Sequence, residues 1–334
     1  MNMREAFELT KNLTWRSIDG ELSVRTIAGK RWLCAPGAIE SETVIPRDSG
    51  NLSDEVAEVL GDWPFVEYTK PLHLCGVDRS QEDVEKSLID FTRAHGLLRN
   101  LSWQDYSTPG NPTGIQRSGD LCGILPVDEW LIFCSEVRAA VDLLRLAAGA
   151  RRCAASAERD LRSRFQITRN AEGQVDGVSV FYLCAQSNEE GLSRFSRRLR
   201  LFGKGLPEDS ETRFALLLAV ADDDLAKLAM LAAARLVQDG LADGLSVRLV
   251  HKPSRSGAGC FIPRFQAKTL RSEIWLEISE RLTKWEDLRV CELEGCSRLF
   301  FASRRGGKGR EKRHCCEKHH QRAAYLSRKA AKGG

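Results

Sequence analysis

Residues 291–329 read CELEGCSRLFFASRRGGKGREKRHCCEKHHQRAAYLSRK, two short-spaced pairs of metal-ligating side chains set in a basic context. Cys291-x4-Cys296 is followed by eighteen residues and then by Cys315-x3-His319. A structural zinc ion takes four tetrahedral sulfur or nitrogen ligands, usually supplied as two such pairs. Gly295, just before the second thiol, lets the chain curl so that both sulfurs face one point. A Cys/His pair at i and i+4 falls on one side of a helical turn. So polar a segment cannot fold around a hydrophobic core, and in pieces of about 40 residues a metal commonly substitutes for one. The expected ligands are Cys291, Cys296, Cys315 and His319, holding one structural zinc ion (Zn2+). Cys316 and His320 have the same spacing and stay open as an alternative second pair. Knuckle, hairpin and helix in that order make a treble-clef-like finger.

The same stretch breaks the charge balance of the chain. The 334 residues carry 50 Lys+Arg and 46 Asp+Glu, a net charge of +4. Residues 291–334 hold 12 of the basic and four of the acidic residues, so a tail of +8 closes a body of −4. Such asymmetry points to a nucleic-acid or membrane partner. Arg304, Arg305, Lys308, Arg310, Lys312 and Arg313 form a glycine-punctuated basic loop, and Arg322, Arg328 and Lys329 follow on a helix with Tyr325. Side chains of this kind neutralise phosphates and release counterions, and a finger helix has the width of a major groove. A nucleic acid is the expected partner, double-stranded DNA before RNA.

Other features exclude other classes. The start, MNMREAFELT, lacks the apolar run of a signal peptide. The most apolar stretch, 214–237, is broken by Asp222, Asp223 and Asp224, short of the roughly 20 apolar residues a membrane helix needs. A soluble, cytoplasmic protein with no membrane partner is expected. The eleven cysteines are odd in number and, outside the tail, scattered singly, which fits reduced thiols acting as small hydrophobes. Gly306-Gly307-Lys308-Gly309 lacks the spacing of a phosphate loop. The three aspartates read as a helix N-cap, His73 and His251 as structural residues. No Ser/His/Asp set is legible, so the chain is not expected to be an enzyme.

The expected fold class is α+β, in three parts. Residues 1–78 form a β-rich N-terminal region of short β-branched and aromatic runs separated by turn signals. Residues 79–288 form a mainly helical domain with hairpins, and 289–334 the basic zinc finger. In the middle part Ser80 caps a helix to His95 with Val84, Leu88 and Phe91 inside. Residues 101–125 read as a loop. A helix after Pro126 carries Trp130, Cys134, Val137, Val141 and Leu144 at helical spacing. Asp160 to Cys184 reads as a hairpin, followed by helices over 210–221 and 224–239. A second hairpin spans LSVRLVHK and CFIPRF, and a last helix begins after Thr269.

The C-terminal stretch resembles the CGNR-type zinc finger that closes a set of bacterial proteins regarded as transcription regulators. The matching residues are Cys291 and Cys296, Leu299 and Phe300, the Arg304–Arg313 loop, His314-Cys315-Cys316, His319, and Arg322 onward. The tetrapeptide Cys-Gly-Asn-Arg is absent, and His319-His320-Gln321-Arg322 stands in its place, so the fourth ligand would be His rather than Cys. The resemblance extends upstream to FTRAHGLL at 91–98, the helix around Glu129-Trp130 and the helix leading into Cys291. It implies zinc-dependent DNA binding and transcription regulation, with the middle domain answering to an effector or protein partner. A different use of the same finger is as an interaction module that anchors a protein or RNA assembly.

Overall fold

A computed structural model describes residues 12–18, 21–27, 30–36, 40–46, 52–60, 80–95, 116–118, 121–152, 154–188, 191–203, 210–242, 245–252, 260–267, 269–293, 296, 298–302 and 313–332. In the first of these, β1 (Asn12–Ile18) pairs antiparallel with β4 (Glu40–Pro46), and β2 (Ser23–Ile27) with β3 (Lys30–Pro36). The run LSDEVAE, in a region expected to hold strands and turns, is a helix, α1 (Leu52–Glu58). What fixes it lies far away in sequence. Asp54, buried, receives Nη1 and Nη2 of Arg281 at 3.1 and 3.0 Å, and the Ser53 hydroxyl donates to Glu277 at 2.9 Å.

Helix α2 (Gln81–His95) starts where the Ser80 hydroxyl accepts the Asp83 amide, 3.1 Å away, and buries Val84, Leu88 and Phe91. His95 closes its last turn against Glu55 of α1, Nε2 to Oε2 2.7 Å. The loop expected over 101–125 instead holds β5 (Gln116–Ser118) and β6 (Leu121–Pro126), which complete a sheet of order β2-β3-β6-β5. The apolar run LCGILP was masked by the Gly, Ser and Pro residues around it, and its partner β3 sits about ninety positions earlier.

The centre is α3 (Val127–Ala150). Fourteen of its 24 residues are buried, more than one amphipathic stripe supplies, as expected of a helix enclosed by neighbours. Trp130 and Phe133 meet edge to face, and Phe133 meets Trp275 the same way with centroids 6.1 Å apart. After α3 comes α4 (Ala155–Arg164), where the opening of a hairpin was expected. Its inward residues Ala157 and Leu161 are four apart, a helical spacing that the alternation further along obscured. Then β7 (Phe165–Arg169), β8 (Val175–Asn188) and β9 (Gly191–Phe202) form an antiparallel meander with β8 in the middle. Its first turn is held by the Asn170 side chain, which accepts the amides of Glu172 and Gln174, and by Gly173 at φ 79°.

Helices α5 (Ser210–Ala221) and α6 (Leu225–Leu241) meet at the aspartate triplet, where Asp224 caps α6 by accepting the Lys227 amide at 2.9 Å. Strands β10 (Leu245–Lys252) and β11 (Cys260–Ala267) form the second hairpin. Helix α7 (Leu270–Thr283) opens with a reciprocal Thr269/Ser272 capping box. The chain ends with a 3-10 turn over Trp285–Asp287, the short strands β12 (Leu288–Val290) and β13 (Leu299–Phe301), and helix α8 (Glu317–Lys332). α1, α4, α6, α7 and β8 all pack on α3. Helices alternate along the chain with small sheets whose strand pairs are all antiparallel, the α+β class. Among the described residues no helix is long and apolar enough to cross a membrane.

Candidate metal centre and basic helix

Two buried leucines, Leu288 on β12 and Leu299 on β13, root the C-terminal hairpin in the main core beside α3. Beyond that root, Phe300, Leu293 and Ala302 make a second, small core with Cys291, against which Cys296, Cys315 and Ala323 pack. So few apolar side chains cannot hold this end alone. The backbone supplies more: the Cys291 amide donates to Arg298 O at 3.0 Å, the Cys296 amide to Leu293 O at 2.9 Å, and the Glu292 amide to Arg313 O at 3.1 Å. Together these turn the knuckle back on itself and bring the start of α8 alongside. Gly295, expected to permit that turn, lies outside the described residues.

The four donor atoms of Cys291, Cys296, Cys315 and His319 all lie within 4.8 Å of one another. Cys315 Sγ is 3.1 Å and Cys291 Sγ 3.7 Å from His319 Nδ1, and Cys296 Sγ is 3.9 Å from Cys315 Sγ. A tetrahedral centre with metal–sulfur bonds of about 2.3 Å sets its donors about 3.8 Å apart, so the cluster fits a single metal ion. Cys315 precedes α8 and His319 falls in its first turn, which directs both toward the knuckle. The alternative pair does not converge there: Cys316 and His320 are exposed, and the His320 ring instead tilts against His314 with centroids 5.6 Å apart.

Electrostatics match. Burial opposes ionisation of Cys291, yet hydrogen bonds from the backbone of Cys315 and Leu293 and from the rings of His319 and His314 outweigh it and bring the thiol down to about 6. Burial and the neighbouring sulfurs push Cys315 up to about 12, and burial, helped by Cys291, raises Cys296 as well. One thiolate forms readily and resists the next two. A divalent cation removes that resistance by supplying the charge the sulfurs need to face.

The hairpin is clamped to the body. Arg152, just past α3, pairs with Glu292 in the knuckle at 2.8 Å. Arg151 donates to Trp285 O at 3.0 Å and stacks over the Trp285 ring, 4.2 Å from its centroid. The end that carries the Cys3His cluster is thus seated on the C-terminus of α3.

Of the expected phosphate-contacting residues, Arg304, Arg305, Lys308, Arg310 and Lys312 lie outside the described residues. Arg313 is exposed, with Nη1 4.0 Å from Glu292. On α8, Arg322, Arg328 and Lys329 are all exposed. At about 100° per residue, Arg322 and Lys329 project from one side together with Lys318 and the exposed Tyr325, a basic stripe with one aromatic ring. Arg328 points elsewhere and donates to Ala324 O at 3.2 Å. Lys318 was not among the expected residues; its signal was the i, i+4 spacing to Arg322, hidden beside the ligand His319. A second unexpected feature is in β9, whose SRFSRRLR at 193–200 places four arginines in eight residues.

Compared with protein-family models, curated proteins and solved structures, the chain matches none.

Proposed function

We propose that the chain is a zinc-dependent DNA-binding protein that acts as a transcription regulator, and not an enzyme. The observation that carries this reading is the junction of two features at one point. The Cys3His cluster ends on His319, in the first turn of α8, and the basic stripe of Lys318, Arg322 and Lys329 runs along that helix. Cys291, Cys296, Cys315 and His319 would hold one zinc ion in a treble-clef-like finger. Four protein ligands leave no open position, so the ion's contribution is structural rather than catalytic. It fixes the direction in which α8 leaves the knuckle, and that direction decides whether the stripe meets a duplex. The arginines and lysines then hold phosphates, which supplies affinity without reading sequence.

The reading is tested on the zinc-loaded full chain by duplex titration over a salt series. Arg322→Gln with Lys329→Gln should weaken binding to every duplex alike and lower the slope of log K against log salt by about two units. Arg328→Gln, off the stripe, should change it less. Equal effects from all three, or none, would count against the stripe as the contact surface.

A further inference from the structure

We infer that the Arg198/Arg200 end of the outer face of the β7–β8–β9 sheet is a second phosphate-contacting surface, which extends along double-stranded DNA the footprint of the finger. The inference rests on the proposed DNA binding of the finger and assigns a new site to it.

The three strands contain five arginines and one acid, Asp176, in a body whose net charge outside the tail is −4. The placement of these charges is informative. One face of the sheet, with Val178, Val180, Tyr182 and Cys184, is buried toward α3. There Arg197 has a partner, Glu136 of α3, at 2.9 Å. On the opposite face Arg198 and Arg200 are exposed and have no acidic partner among the described residues. Arg198 stands across from Phe181, and Arg200 across from Ser179, which in turn pairs with Gln166 of β7.

Arg198 is held rather than loose. Its Nε donates to Ser179 Oγ at 2.9 Å, and its guanidinium lies over the Phe181 ring, 6.0 Å from the centroid. With Nε engaged, the two terminal nitrogens remain for a partner, the fork geometry that suits a phosphate. Arg198 and Arg200 are two residues apart on one strand, about 7 Å, close to the axial rise of two phosphates on one DNA strand, also about 7 Å. Uncharged donors, Gln166 and Thr168 of β7, border them. Further along the same face Leu183, Ala185 and Arg194 are buried and Phe181 is half-buried; the exposed side chains at the Arg198/Arg200 end are cationic and polar, without the exposed apolar anchors a protein partner would call for.

The location fits a shared duplex. The N-terminal end of α3 lies at the C-terminal end of β8, since Asp128 accepts the Ser187 amide at 2.9 Å and Ser135 the Ala185 amide at 3.0 Å. The arginine rows, opposite Ser179 and Phe181, therefore lie toward the other end of α3, where Arg151 and Arg152 carry the finger. α4 bridges that end to the start of β7, about 15 Å for its ten residues.

The test uses the zinc-loaded full chain and a long mixed-sequence duplex. Arg200 makes no hydrogen bond or ion pair among the described residues, so Arg200→Gln should leave the fold intact, and Arg198→Gln/Arg200→Gln removes both contacts. The expected result is a log K against log salt slope lower by about one unit for the single variant and about two for the double, with Arg200→Lys close to wild type. An unchanged slope in the double variant, while Arg322→Gln/Lys329→Gln lowers it, overturns this inference and leaves the finger reading standing. An unchanged slope accompanied by aggregation also overturns it, and assigns the arginines to protecting the exposed edge of β9. A wild-type chain that binds no duplex overturns the finger reading and this one with it.

Discussion

At the scale of single residues, the choice between two adjacent cysteines is what the metal centre turns on. Cys315 points at the knuckle and Cys316 at solvent, although their spacings to a histidine are identical. Cys315→Ser should therefore leave the purified chain without its metal, whereas Cys316→Ser should retain about one zinc ion per chain, as read by metal analysis. Retention by both variants would contradict the assignment. The thiols also set a pH dependence. Near neutral pH Cys291, at about 6, is already ionised, while Cys296 and Cys315 still carry protons. Zinc binding should then release about two protons per ion, and affinity should rise with pH through the neutral range; an indicator-dye titration reads the stoichiometry. Release of none would mean that the thiols are not the ligands. The four residues of the cluster were legible in the sequence because tetrahedral chemistry demands pairs at short spacing. The register of the second pair was not, because spacing alone is degenerate and only the path of the chain before α8 separates Cys315 from Cys316.

At the scale of elements, local signals succeeded where they were sufficient. The Ser80 cap, the helical spacing of Trp130, Cys134, Val137, Val141 and Leu144, the Asp224 cap and the Thr269 start each appear in the structure at the expected place. Sequence reasoning missed elements whose stability is supplied from elsewhere. α1 is short, and its Asp54 reaches Arg281 and Arg145 across more than ninety positions of chain. β6 is a strand because β3 lies beside it. α4 was read into the hairpin that follows. The buried Asp54–Arg281 pair gives the clearest test of this dependence. Asp54→Ala removes the acid that Arg281 holds with both terminal nitrogens and should cost about 3 kcal/mol, read as a lower urea midpoint with unchanged m-value. A change below about 0.5 kcal/mol would place α1 among weakly held surface elements. Burial raises Glu277 above the ordinary carboxylate range. The Arg281 guanidinium beside Glu277 and the bonds from Ser53 oppose that rise.

At the scale of the whole molecule, the near balance of 50 basic and 46 acidic residues conceals a division. A mildly acidic body supports a basic end, and the two are not loosely tethered: Leu288 and Leu299 belong to the main core, and Arg151 and Arg152 clamp the knuckle to α3. A metal in the Cys3His cluster would therefore matter beyond its own small core, since whatever orients the knuckle orients α8 with respect to the body and to the arginines of β9. The central claim is that the metal holds the basic helix in a binding geometry. It is tested most directly by titrating one duplex, at fixed moderate salt, with the same full chain zinc-loaded and then stripped by a chelator. The account predicts tight, salt-sensitive binding by the loaded chain, a loss of at least about tenfold on stripping, and recovery when zinc is restored. Equal binding in the two states, with the metal demonstrably gone, would contradict it.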